Sequence, residues 1–180
     1  EIAFWVNWLE AKGYSNIVLV GHSYGSLQNL VYDAQRPSKS VKRIVATSLV
    51  DVEHVVGSAE IQRQIEFARQ RMKNNPQSLD EYKISYCKKY IAPPHAYLSY
   101  AEWKKRRILD NLVEIRIPVE VILGGNDTRM GIDWPDLVKR SGAKLTIIPD
   151  ANHFFDAEYE FDLYERVQAS ILSASAQPAK

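Results

Sequence analysis

The 180-residue sequence holds a single cysteine, Cys87, so it cannot form an internal disulfide. That lone thiol suits a reducing, cytoplasmic compartment and is read as a small hydrophobe in the core. No charge of either sign is in excess. A formal net charge of +1 gives none of the broad field that nucleic acid or an acidic membrane surface would attract, so neither is expected as a partner. Long apolar runs are missing too, which predicts no membrane span, and the opening residues do not form a signal peptide. His54 and His95 lack the partner spacing of a metal site, and no metal or cofactor is expected. Neither internal repeats nor low-complexity blocks are present.

What is there is a hydrophobic content of 46 %, enough for one domain with a sizeable core. The only dense basic run, Lys104-Lys105-Arg106-Arg107, is flanked by apolar residues at helical spacing and reads as the solvated face of a helix.

The most informative stretch is Ile17-Val18-Leu19-Val20-Gly21-His22-Ser23-Tyr24-Gly25-Ser26-Leu27. An apolar β-branched run ends in Gly-X-Ser-X-Gly and passes at once into helix-compatible residues. It predicts a buried strand, a tight turn and a helix, with a Cβ at either Gly21 or Gly25 striking neighbouring backbone. Ser23 is then forced into a strained conformation that exposes its hydroxyl at the end of a strand. The Tyr24 N–H and the positive end of the new helix would both favour an oxyanion there.

Ahead of this stretch, Ile2, Trp5, Val6 and Leu9 have helical spacing, widened by Phe4 and Trp8, and Gly13 suits a left-handed helix end. After it, a helix over 24–35 carries Leu27, Leu30, Val31 and Ala34 on one side until Pro37, and 41–50 reads as a strand covered on both faces. Strand, helix and strand in this order predict a right-handed crossover and a parallel, open sheet, hence the α/β class. Strands return at 118–124 and 144–149, separated by a short helix at 136–138, and an amphipathic helix over 158–172 turns Phe161, Tyr164, Val167 and Ile171 inward. Asp156 is expected to cap that helix, and 173–180 to fray.

Residues 51–115 break the alternation. Ile61, Ile65, Phe67, Ala68 and Met72 mark one helix, Tyr82, Ile84, Tyr86 and Cys87 a shorter one, and Trp103, Ile108 and Leu112 a third, with breakers at Asn74-Asn75-Pro76 and Ala92-Pro93-Pro94. This segment reads as an inserted helical cap between two parts of a core, 1–50 and 116–180. The alternative is extra helices that thicken the sheet's outer layer. Tyr90, Tyr97 and Tyr100 suit either the lining of a pocket or a core.

The strand, the Gly21-His22-Ser23-Tyr24-Gly25 turn and the helix together resemble the nucleophile elbow of the α/β-hydrolase superfamily. That resemblance covers residues 1 to about 172. It implies a catalytic order of nucleophile, acid and histidine, which Ser23, Asp127 and His153 match in type, order and topological place. It also implies their roles. His153 would take the proton of the Ser23 hydroxyl, a poor nucleophile at neutral pH, and Asp127 would hold the other ring nitrogen. Asp51, at the end of an earlier strand, is the rival acid, because some members of the superfamily place it there; Asp127 after Gly124-Gly125-Asn126 also reads as a plain turn residue. Taken alone, His153 more often reads as a satisfied loop histidine, and His22 as packed beside the turn.

The resemblance further implies strands and a second oxyanion donor upstream of Glu1, so the first strands of the sheet are expected to be missing. Trp5, Leu9 and a strand edge would then be bare, and the chain poorly soluble. The implied function is cleavage of a carboxylic ester or related acyl bond through an acyl-Ser23 intermediate, acting on a small, partly apolar acyl substrate without a cofactor. An acyltransferase with the same three residues, or a non-catalytic binding module that keeps the fold, remains open.

Overall fold

The structure, a computed structural model, describes residues 1–84 and 87–175. Its contacts divide the chain into two units: 1–50 with 109–128 and 132–180, and 51–108 with 129–131.

The larger unit opens with α1 (Ile2–Ala11), β1 (Ile17–His22), α2 (Tyr24–Gln35) and β2 (Val41–Thr47). The smaller contains α3 (Val52–Val56), α4 (Ser58–Asn74), β3 (Asp80–Ile84), β4 (Cys87–Ala92) and α5 (Pro94–Ala101). Helix α6 (Lys105–Glu114) runs across the boundary into the larger unit, which continues with β5 (Val119–Gly124), α7 (Trp134–Arg140), β6 (Lys144–Ile148) and α8 (Tyr159–Ser175).

In the larger unit the strands stand in the order β1-β2-β5-β6, every neighbouring pair parallel. The register sets His22 beside Thr47, Thr47 beside Ile122 and Gly124 beside Ile148, so the carboxyl ends share one edge. Helices cover both faces because successive side chains of a strand point to opposite sides. On one face Leu19, Ile2 and Leu9 of α1 and Tyr32 of α2 pack against a cluster of Val6, Ile17 and Val41; on the other Val18 joins Val45, Ile122, Ile148 and Phe155 beneath α8. Strand β5 is buried along its whole length and is the centre of the core.

Several expectations change here. Strand β1 is not fully buried: it is the first strand of the order, and Val20 is 46 % exposed. Trp5 is exposed as expected, with Phe4 and Trp8, whereas Leu9, expected bare, is half-buried against Val6, Ile17 and Val41. Strand β2 stops at Thr47 and not Val50, because Ser48 has a left-handed backbone (φ +47°) that cannot continue an extended strand. In α8 the inward row is Tyr159, Leu163, Val167 and Ser170, leaving Phe161 and Tyr164 exposed. Both rows have helical spacing, and the packing partner chose between them.

In the smaller unit the expected short helix at 82–87 is a hairpin, with Tyr82 opposite Tyr90 and Ile84 opposite Cys87; Tyr86 lies outside the described residues. Buried Tyr82 stands between exposed Glu81 and Lys83, a period of two that suits a strand. The prolines after Ala92 begin α5 in place of breaking one, since a first-turn proline lacks only an N–H the helix would not use. Tyr97 is core: it stacks on Tyr82 with ring centres 4.1 Å apart. Burial pushes its hydroxyl up to about 12. Cys87 is half-buried. The basic run is more than a solvated face, for Lys104 donates to Gln62, Lys105 pairs with Asp51 at 3.1 Å, and Arg107 lies over the Trp103 ring.

No helix among the described residues is long and apolar enough to cross a membrane.

Candidate active site

The turn after β1 is held from below by β2. The Thr47 carbonyl accepts from the Ser23 N–H (2.9 Å) and the Ser26 hydroxyl (2.8 Å), while the Thr47 hydroxyl donates to Gly21 O (3.1 Å) and contacts His22 Nδ1 (3.0 Å). Ser23 is left-handed, φ +55°, the strain expected of it. Gly21 is required: a Cβ there would lie 2.5 Å from the carbonyl carbon of Gly25. Gly25 is not, which corrects the expectation. A Cβ at 25 meets nothing within 4 Å, because the close approach is of Gly25's backbone toward position 21 and not the reverse.

Two further loops leave the same sheet edge. After β5, Gly124-Gly125-Asn126 brings Asp127 round, with the Asn126 N–H on Ala151 O (2.9 Å) and the Gly125 N–H on Ile148 O (2.9 Å). After β6, Asn152 organises the loop that carries His153: its Oδ1 accepts from the N–H of Phe154 (2.9 Å), and its Nδ2 donates to Asp156 (2.9 Å). Asp156, expected to cap the last helix, is engaged in that contact.

Ser23, Asp127 and His153 meet. His153 Nδ1 donates to Asp127 Oδ2 at 2.7 Å, and the Ser23 hydroxyl lies 2.9 Å from His153 Nε2. With a carboxylate as the partner of Nδ1, the neutral ring carries its proton there and presents Nε2 as an acceptor toward Ser23. The side chains of His153 and Asp127 are 5 % and 4 % exposed, so water competes little for their hydrogen bond, whereas Ser23 is half-buried and reachable. The rings of His22 and Phe154 stand edge-on to His153, each 5.2 Å away between centres. Tyr24 is the first residue of α2, where the helix dipole is positive.

Asp51, the rival acid, has other partners: its side chain caps α3 by accepting from the His54 N–H and faces Lys105. Among the described residues no group of three or more His, Cys, Asp and Glu side chains is arranged to hold a metal.

Three residues that serve this geometry were not read from the sequence. Thr47 and Ser48 look like small polar residues at a strand end, and Gly124 looks like part of a turn. The Gly124-Gly125 pair, separated from the candidate acid only by Asn126, was the available signal for the last.

Solved structures with the same architecture come from several sources. A monoacylglycerol lipase from Paleococcus ferrophilus superposes with a TM-score of 0.67 at 14 % identity, over 96 % of this chain and 74 % of that one. Est1E from Butyrivibrio proteoclasticus does so with 0.60 at 20 % identity, over 90 % and 62 %. The peroxisomal alpha-beta-hydrolase Lpx1 from Saccharomyces cerevisiae gives 0.55 at 14 % identity, over 91 % and 54 %. This chain has the α/β-hydrolase fold. It spans between 54 % and 74 % of the length of those three proteins. No family model and no curated protein matches the sequence. In α/β-hydrolase terms, Ser23, Asp127 and His153 stand on the loops after three parallel strands, at the carboxyl edge where open sheets of this class take ligands.

Proposed function

We propose that this chain carries a serine hydrolase site that cleaves a carboxylic ester or related acyl bond of a small, partly apolar substrate. The observation that carries the reading is the hydrogen-bonded series Ser23 Oγ, His153 Nε2, His153 Nδ1, Asp127 Oδ2, with separations of 2.9 and 2.7 Å.

As Ser23 Oγ attacks the acyl carbon, Nε2 takes its proton and the ring becomes an imidazolium that Asp127 stabilises. The tetrahedral oxyanion forms beside the Tyr24 N–H at the start of α2. Nε2 then returns the proton to the leaving alcohol, and an acyl-Ser23 ester remains. Water, deprotonated by the same nitrogen, attacks that ester, releases the acid and restores Ser23. Neighbours described as esterases and a lipase support ester cleavage as the reaction class.

The test is a panel of p-nitrophenyl esters together with an organophosphonate probe. Turnover and covalent labelling at Ser23, both lost in Ser23→Ala, are the expected result. Labelling at Ser26 instead would overturn the proposal, since that hydroxyl is buried and already bonded to Gly21 O and Thr47 O.

A further inference from the structure

Ser48 occupies a conformation that its residue type does not favour. With φ at +47° it stands immediately after β2, fully buried, where glycine would be free of strain. Such a backbone persists only where the surroundings over-determine it. Here they do so on two sides. The Ser48 N–H donates to Ile122 O in β5 (2.8 Å), and its hydroxyl donates to the carbonyl oxygen of His153 (2.7 Å).

We propose that Ser48 is a positioning residue that sets His153 at the height of Ser23. The inference rests on the ester-hydrolase reading of the site. The residue before it, Thr47, holds the other half of the pair through its carbonyl, which accepts the Ser23 N–H. Two consecutive residues at the end of β2 therefore fix the candidate nucleophile and base to one strand. The left-handed turn at Ser48 makes this possible, because it sends the Ser48 side chain toward the histidine loop while the Thr47 carbonyl stays on the elbow. Alanine would leave the buried His153 carbonyl without its hydroxyl donor and release the loop. A contact of 2.9 Å between Ser23 Oγ and Nε2 tolerates little movement, since a displacement of about 1 Å removes the hydrogen bond.

The experiment compares wild type, Ser48→Ala and Ser48→Gly in p-nitrophenyl ester turnover and in the low-field proton NMR signal of the His153 Nδ1–H. Expected is a fall in kcat of about 10- to 100-fold in both variants, with KM within about twofold, and a shifted or broadened Nδ1–H signal. Glycine relieves the backbone strain but also lacks the hydroxyl, so its activity should track that of alanine and not that of wild type. Wild-type kcat together with an unchanged signal in either variant would overturn the proposal. So would unfolding of both, which would make Ser48 a stability residue only. The NMR signal needs no turnover. Should wild type hydrolyse no ester, the functional reading fails, while a signal altered by Ser48→Ala still upholds the clamp on His153.

Discussion

Gly124 and Ala151 are in backbone contact: a Cβ on Gly124 would lie 2.4 Å from the Ala151 carbonyl oxygen and 2.5 Å from that of Asn152. The loop bearing Asp127 and the loop bearing His153 thus approach as closely as two chains can, and the 2.7 Å bond between those side chains depends on it.

Gly124→Ala should therefore push the two loops apart. We expect a loss of about 1–3 kcal/mol in denaturant unfolding and, in the folded protein, a larger proportional loss of kcat than of substrate binding. Unchanged stability with full turnover would show that the loops can shift at no cost.

The two glycines of the turn after β1 should behave in opposite ways. Gly21→Ala meets backbone at 2.5 Å and should fold poorly, whereas Gly25→Ala enters open space inside α2, where alanine is the better helix former by up to about 1 kcal/mol. Urea midpoints of the two variants test this, and equal destabilisation would contradict it.

The choice between acids is equally direct. Asp127→Asn should lower kcat by about 1000- to 10,000-fold, because an amide cannot hold the imidazole in the required tautomer. Asp51→Asn should keep its turnover, since its amide oxygen can still accept the His54 N–H at the α3 cap and only the charge facing Lys105 is lost. The reverse pattern, measured on one ester, would reassign the acid.

Glu120 predicts the acid limb of the stability curve. Burial in β5 pushes its carboxyl up, but hydrogen bonds from Lys144 and Ser170, the charge of Lys144 and a hydrogen bond from Thr146 outweigh this and hold it below its ordinary value of 4.5. A carboxyl depressed in the folded state adds stability above its unfolded pKa and loses it as pH falls through the folded one. Glu120→Gln should be less stable than wild type at pH 7, and the difference should close below pH 4.5 as far as the folded pKa. Urea unfolding between pH 7 and 3 measures the gap, and a gap that stays constant would rule out Glu120 as its source.

Much was legible in the residues because local chemistry specified it. A β-branched run into Gly-X-Ser-X-Gly can form little other than a strand, a tight turn and a helix, and its strain at Ser23 follows from the turn. The parallel sheet followed from strands separated by helical segments, and the left-handed end after α1 from Gly13, at φ +87°. What rested on periodicity alone was open to a competing partner. Two rows of α8 have helical spacing, and only the sheet beneath them turned Leu163 inward, half-buried, in preference to Phe161 and Tyr164. Residues 80–92 are equally short for helix or strand, and pairing across the hairpin decided the matter. The site divides along the same line. Ser23 was marked by its own neighbours, whereas Asp127 and Asp51 were rival acids at strand ends until tertiary contacts gave one to His153 and the other to Lys105. The clamps at Thr47, Ser48 and Gly124 join residues 21 to 105 positions apart in the chain, a separation at which no local pattern carries the signal.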